Sequence, residues 1–155
     1  MPIVSTFEIF SKREQPVIYI RKRVNAADIS QFMQDCYFEL FTFLGKNGFG
    51  VADMPYAAYY NMDMEDLDVE MGVPVTEEIE VRGDIKYRVQ NLGKVVTCIY
   101  RGAYSETFAA YNELKAWMTE KGFEQSAESY EVYLNSPQGV CEDELLTMIV
   151  VPMKE

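Results

Sequence analysis

The chain repeats itself, and the repeat limits the folds open to it. Displaced by 74 positions, Tyr37, Glu39, Leu40, Gly48, Phe49, Tyr56, Tyr59 and Asn61 fall on Tyr111, Glu113, Leu114, Gly122, Phe123, Tyr130, Tyr133 and Asn135. Displaced by 78, Pro16-Val17-Ile18 falls on Lys94-Val95-Val96, and Val73-Pro74-Val75 falls on Val151-Pro152-Met153. The two offsets are reconciled by a four-residue indel before each helix core and a compensating one after Asn135. The copies run over about 3–75 and 84–153, and 155 residues are too few for two large independent domains. One domain over 1–155 is therefore expected, with the repeats sharing a sheet and core about a pseudo-twofold axis. A central groove between the halves is the natural place for function.

Each copy reads as β-α-β-β. Val4 to Phe10 alternates, and Val17 to Val24 is a β-branched and aromatic run. Ala26 to Gly45 is predicted helical, because Ile29, Phe32, Met33, Cys36, Tyr37, Leu40, Phe43 and Leu44 recur at three and four. Asn25 or Asp28 caps its start, and Gly45 and Gly48 end it. Strands are predicted at Tyr56–Met62 and Leu67–Val73, with Asp63, Glu65 and Asp66 in the turn. In the second copy Ile85–Gln90 alternates and Lys94–Arg101 is a strand. Ser105 caps a helix to about Lys121, and Tyr130–Leu134 and Glu144–Val151 are the last strands. Residues 75–83 connect the halves. The expected class is α+β: a mostly antiparallel sheet with two helices on one side.

Composition excludes whole classes of function. The net charge is −11, and Asn61 to Val81 holds eight acidic residues and no Lys or Arg. Nucleic-acid binding needs a basic footprint, so direct DNA or RNA binding is not expected. There is no histidine, which removes Ser-His-Asp and Cys-His catalysis and nearly all histidine-containing metal sites. Cys36, Cys98 and Cys141 are odd in number and lack a C-x-x-C pair, consistent with a reducing cytoplasm and with neither disulfide framework nor zinc. No apolar run approaches 18 residues and no leader pattern is present, so a cytoplasmic protein without a membrane segment is expected. No metal or cofactor is expected.

Strand parity then selects candidates. Leu67, Val69, Met71 and Val73 form one face, predicted to lie under the helix, with Asp68, Glu70 and Gly72 on the other. By the 78-residue offset Leu145, Thr147, Ile149 and Val151 face the second helix, and Leu146, Met148 and Val150 join Glu70 on the opposite side. Glu70 stands mid-strand between Val69 and Met71, where a carboxylate is costly unless paired or solvated. It is a candidate ligand group; the plainer reading is a solvated outer-face glutamate. Tyr59 and Tyr133, with Glu131, share one parity, and Tyr-x-x-Tyr recurs in both copies among eleven tyrosines. Rigid aromatic walls with hydroxyl tips suit flat or cationic organic molecules. The plainer reading is packing over a sheet edge. Trp117, the lone tryptophan, fits the core beside Leu114 and Met118, or a groove edge where it stacks on a ligand.

Four segments carry a family resemblance: Arg101-Gly-Ala-Tyr-Ser-Glu-Thr-Phe, Leu114-Lys-Ala-Trp-Met-Thr-Glu-Lys-Gly-Phe, Tyr130-Glu-Val-Tyr-Leu-Asn-Ser-Pro and Glu144-Leu-Leu-Thr-Met-Ile-Val-Val-Pro. Together they resemble the GyrI-like (gyrase-inhibitor-like) family, the effector-binding domain of bacterial multidrug-sensing transcription regulators. The resemblance covers essentially the whole chain, with the second half the more specific. It implies a duplicated β-α-β-β fold whose central groove binds hydrophobic, often cationic, small molecules. Some stand-alone relatives are associated with gyrase inhibition or with hydrolysis of cyclopropane-bearing compounds. Glu131 and Tyr133 carry over directly. The family commonly places a glutamate in its last strand, where this chain has Met148; the repeat-related Glu70 would supply that carboxylate from the other half.

The leading expectation is a stand-alone domain that senses or sequesters hydrophobic or cationic small molecules. Its groove is walled by Tyr59, Tyr133, Trp117 and Tyr104, with Glu70 as a single off-centre acid facing Met148, and Glu131 is a further candidate for ligand binding. A hydrolase of electrophilic small molecules using a groove glutamate and tyrosine is the alternative. An acidic module that binds gyrase or a transcription regulator, and a homodimer, are further partner expectations.

Overall fold

The computed structural model describes residues 3–126 and 128–154. Its elements follow the order of the repeat: β1 (Glu8–Lys12), β2 (Gln15–Val24), α1 (Ile29–Asn47), β3 (Tyr56–Tyr59), β4 (Leu67–Pro74) and β5 (Lys86–Gln90), then β6 (Gly93–Arg101), α2 (Phe108–Glu120), β7 (Ser129–Tyr133) and β8 (Leu146–Pro152). The class is α+β with antiparallel strand pairing.

The chain divides into two compact units. Arg13–Asn91 form one; the described residues up to Lys12 and from Leu92 onward form the other. The first unit holds four strands in the order β3-β4-β2-β5, with α1 packed on β4 and β2. The second holds β1-β6-β8-β7. There α2 contributes Ala110, Leu114 and Met118 to a core with Val96, Cys98, Tyr100, Ile149 and Val151.

The units do not coincide with the repeat copies. Only Arg13 and Glu14 separate β1 from β2, and only Asn91 and Leu92 separate β5 from β6. Two-residue links ordinarily close hairpins. Here β1 pairs with β6 and β5 pairs with β2 instead. At the 78-residue offset Glu8–Lys12 falls on Lys86–Gln90, and the registers correspond: Glu8 lies opposite Thr97, Lys86 opposite Tyr19, and Tyr19 falls on Thr97. Each unit thus takes one strand from the other copy of the repeat. This exchange is invisible to strand patterning, because the same alternation serves either partner.

Local chemistry sets the element ends. Before α1, a 3-10 turn over Ala26–Asp28 is capped by Asn25, whose Oδ1 accepts from the Ala27 N–H at 2.9 Å; Asp28 makes no side-chain cap bond. Cys36, Leu40 and Leu44 are the buried residues of α1, one turn apart, and the helix ends at Gly48 with φ 70°. It runs two residues past the predicted Gly45. Ser105 does not cap α2, because it lies inside a 3-10 turn (Tyr104–Glu106) and the helix starts only at Phe108.

The first strand starts at Glu8 rather than Val4, because the Ser5 hydroxyl takes the Ile99 N–H at 2.7 Å and interrupts the backbone ladder. Past Tyr59 the backbone of β3 likewise gives way to a side chain. Asn61 Oδ1 accepts from the Asp68 N–H and its amide donates to the Asp66 carbonyl. Asn135 does the same with Leu146 and Glu144. This is the physical reason for that matched pair in the repeat.

Gly72 is fixed by close approach. A Cβ there would lie 2.3 Å from Cζ of Tyr56, the residue opposite it in β3. We expect Gly72→Ala to lose about 1–3 kcal/mol in urea unfolding, as overpacking does. Gly45→Ala, with nothing within 4 Å, should gain about 0.5–1 kcal/mol by lowering unfolded-state entropy. Equal stabilities would mean that Tyr56 does not cover Gly72.

Candidate functional site

Antiparallel register decides which way each β7 side chain points. Glu131 pairs with Ile149 and Tyr133 with Thr147. Ile149 belongs to the core under α2, so Glu131 and Tyr133 lie on the helix side. Val132 pairs with Met148 and Tyr130 with Val150, which places them on the other side.

Glu131 is 7 % exposed. The Tyr111 hydroxyl, on the first turn of α2, donates to Oε2 at 2.8 Å, and the Tyr133 hydroxyl donates to Oε1 at 3.0 Å. The Tyr104 ring lies 5.1 Å from that of Tyr133, tilted by 60°. Two tyrosines therefore bond one carboxylate, and a third packs on the ring of one of them, within one unit. Thr147, opposite Tyr133 and fully buried, has a hydroxyl with no hydrogen-bond partner among the described residues.

Burial pushes the Glu131 carboxyl above its ordinary value, and the hydrogen bonds from Tyr111 and Tyr133 oppose this by favouring the anion. Burial also raises Tyr104, with the Glu131 charge adding to it. The ion pairs among the described residues are Arg21–Asp68, Lys22–Asp84, Arg23–Asp66 and Arg88–Glu70. None involves Glu131.

Glu70 has the opposite environment. It pairs with Arg21 and Ala58 across the sheet, on the side away from Met71 and Ile20, and is fully buried. Arg88 meets it with both arms of its guanidinium, Nη1 to Oε1 at 2.8 Å and Nη2 to Oε2 at 2.6 Å. Tyr56 donates to Oε2 at 2.6 Å and Tyr60 to Oε1 at 2.8 Å. Burial disfavours the Arg88 charge, but the hydrogen bonds and charge of Glu70 outweigh it and hold the guanidinium above its ordinary pKa. Burial and the Glu70 charge together raise Tyr56 well above the usual tyrosine range.

Of the residues singled out from sequence, Glu131, Tyr133 and Tyr104 come together. Met148 lies in the same unit but on the other face of β8, opposite Val132 and Ile99. Trp117 packs elsewhere, its ring 5.3 Å from Phe7 and 6.1 Å from Phe123. Tyr59 lies opposite Val69 in the first unit, half-buried. The expected single acid is corrected to two buried carboxylates, Glu70 and Glu131. They stand at unrelated repeat positions: Glu70 falls on Met148, and Glu131 falls on Ala57.

Sequence reasoning missed Tyr111, Arg88, Tyr56 and Tyr60 as partners of an acid. For Tyr111 a signal existed. Tyr37 and Tyr111 match in the repeat, yet Tyr37 donates to the Tyr56 carbonyl, because Ala57 offers no carboxylate there. Burial raises the thiols of Cys36 to about 12 and Cys98 to about 11, so neither is a thiolate near neutrality. Among the described residues Cys141, Asp143 and Glu144 bring possible metal-ligand atoms within 4.8 Å of one another, but all three are exposed. No helix among them is long and apolar enough to cross a membrane.

Residues 5–154 match the GyrI-like small-molecule-binding domain. No protein of curated function matches the sequence. EcmrR in its DNA complex has the same fold at a TM-score of 0.80 and 21% identity, covering 98% of this chain and 58% of its own. The present chain thus spans less than two thirds of EcmrR. The isolated EcmrR C-terminal domain matches at 0.78 and 20%, covering 99% of both chains. A Listeria innocua protein described as a hydrolase matches at 0.74 and 13%, covering 96% of this chain and 92% of its own. SAV2435, bound to tetraphenylphosphonium, matches at 0.62 and 14%, covering 96% and 94%. At these identities the likeness is one of fold.

Proposed function

The chain belongs to the GyrI-like small-molecule-binding domain family, and from that premise we propose that it binds hydrophobic organic cations against Glu131, as a sensing or sequestering domain. One observation carries the reading: Glu131 is a buried carboxylate bonded by tyrosine hydroxyls, with no cation paired to it among the described residues. A buried charge of this kind is costly. An aromatic cation supplies the missing charge and covers the Tyr104 and Tyr133 faces, gaining cation–π and apolar contact together. Glu70, the acid first singled out, has its charge met by Arg88 and so has less to gain from a ligand. SAV2435 holding tetraphenylphosphonium lends support by analogy.

The test compares tetraphenylphosphonium with neutral triphenylphosphine oxide by calorimetry and thermal shift. At a hundredfold excess over Kd the cation should stabilise the fold by about 2.7 kcal/mol, a rise of roughly 5–10 °C in Tm. Equal binding of the neutral compound would remove charge recognition by Glu131.

The raised carboxyl of Glu131 beside two tyrosine hydroxyls also suits proton transfer, which supports a second reading as a hydrolase of electrophilic, cyclopropane-bearing compounds. In that case Tyr133→Phe should lower turnover while substrate still binds. Absence of turnover in the unmodified protein would leave the binding reading alone.

A further inference from the structure

The Glu70 cluster has the parts of a cation-recognition site, and its occupant is part of the chain. Arg88 stands on β5, which among the described residues pairs only with β2. To reach Glu70 on β4 its side chain crosses β2, lying over the Tyr19 ring with the guanidinium carbon 4.3 Å from the centroid. Beyond Tyr19 the planar fork meets the carboxylate with two bonds, and Tyr56 and Tyr60 donate to the same two oxygens. A ring face below and a bidentate carboxylate ahead match a guanidinium better than an ammonium, which is a point charge without a plane. Arg88 keeps 29% of its side chain exposed while Glu70 is fully enclosed, so the cradle is built around the carboxylate and entered from outside.

The other compact unit shows that this cluster is not demanded by the fold. The positions of Arg88, Glu70, Tyr19 and Tyr60 are held there by Phe10, Met148, Thr97 and Leu134, none of them charged. The same four-strand order and helix form without the pair. Apolar residues commonly replace a buried ion pair without loss of stability, so packing alone gives no reason for the pair in this unit.

We propose that the Glu70 cradle is a guanidinium-binding site, filled in this chain by its own Arg88, which takes an external alkylguanidinium when that side chain is withdrawn. Tyr19, Glu70, Tyr56 and Tyr60 form the site, and Arg88 acts as a tethered ligand that keeps other cations out of it. The inference does not depend on Glu131, which lies in the other unit.

Arg88→Ala in the full chain, with ethylguanidinium as probe and ethylammonium as control, tests it. Ethylguanidinium should raise the Tm of the variant and bind it at least about tenfold more tightly than ethylammonium does. The unmodified protein should show no such rise, and adding Glu70→Gln should abolish it. Equal responses to the two cations, or an equal response in the unmodified protein, would overturn the proposal. Should Arg88→Ala not fold unaided, refolding is scored by circular dichroism. Recovery in ethylguanidinium alone supports the site; recovery in both cations or in neither rejects it.

Discussion

Arg88→Met is expected to cost the fold about 3–5 kcal/mol, the usual penalty for stranding one member of a buried ion pair, with Tm falling by roughly 6–20 °C. The size follows from an imbalance in exposure: Glu70 is fully buried, whereas Arg88 is 29% exposed. Without Arg88 the carboxylate keeps the Tyr56 and Tyr60 hydroxyls and loses both charge-assisted bonds. Glu70→Gln should cost less, because the freed guanidinium can turn towards water. The double variant Glu70→Gln/Arg88→Met then carries no buried charge in this cluster and should recover at least about 1.5 kcal/mol relative to the sum of the single changes, a coupling typical of directly bonded pairs. Urea unfolding of the four proteins measures it. Additive losses would show that the two groups are not energetically paired, whatever their distance.

The repeat made much of this architecture legible and also misled at one point. Periodicity identified both helices and the succession of strands along the chain, and parity placed Ile149 and Val151 under α2, because burial on one sheet face imposes a period of two. The exchange of β1 and β5 between copies was not legible: a strand pattern records which side is buried and not which neighbour supplies the hydrogen bonds. Glu70 stood out because a carboxylate amid Val69 and Met71 is anomalous in one dimension. Arg88, 18 positions away and two strands over, gave no local sign of its role. Glu131 was carried over from the family resemblance, but the hydroxyl that holds it comes from Tyr111, 20 positions earlier on α2. Sequence thus exposes an acid in an apolar context more readily than the partners that decide what the acid does.

For Glu131 those partners predict opposite effects on binding and on stability. Glu131→Gln should weaken tetraphenylphosphonium binding about a hundredfold, since removing one side of a desolvated charge pair costs at least about 2–3 kcal/mol. The same change should raise Tm at pH 8. The folded-state pKa of Glu131 lies above that of an unfolded glutamate, so the native protein holds the extra proton more tightly and loses stability as pH climbs from the ordinary carboxylate range through the raised value. Glutamine, neutral throughout, avoids that loss and keeps an oxygen to accept from one tyrosine. The difference in Tm between variant and parent should therefore be near zero in acid and grow with pH, by about 2–4 °C for each kcal/mol recovered. Cation affinity of the parent should climb through the same window, because only the carboxylate attracts the ligand. Since a bound cation favours the anion, complex formation there should release protons, detectable by calorimetry in buffers of different ionisation enthalpy. A variant that still binds the cation, with a Tm difference flat in pH, would mean that Glu131 is neither the charge the ligand meets nor a cost to the fold.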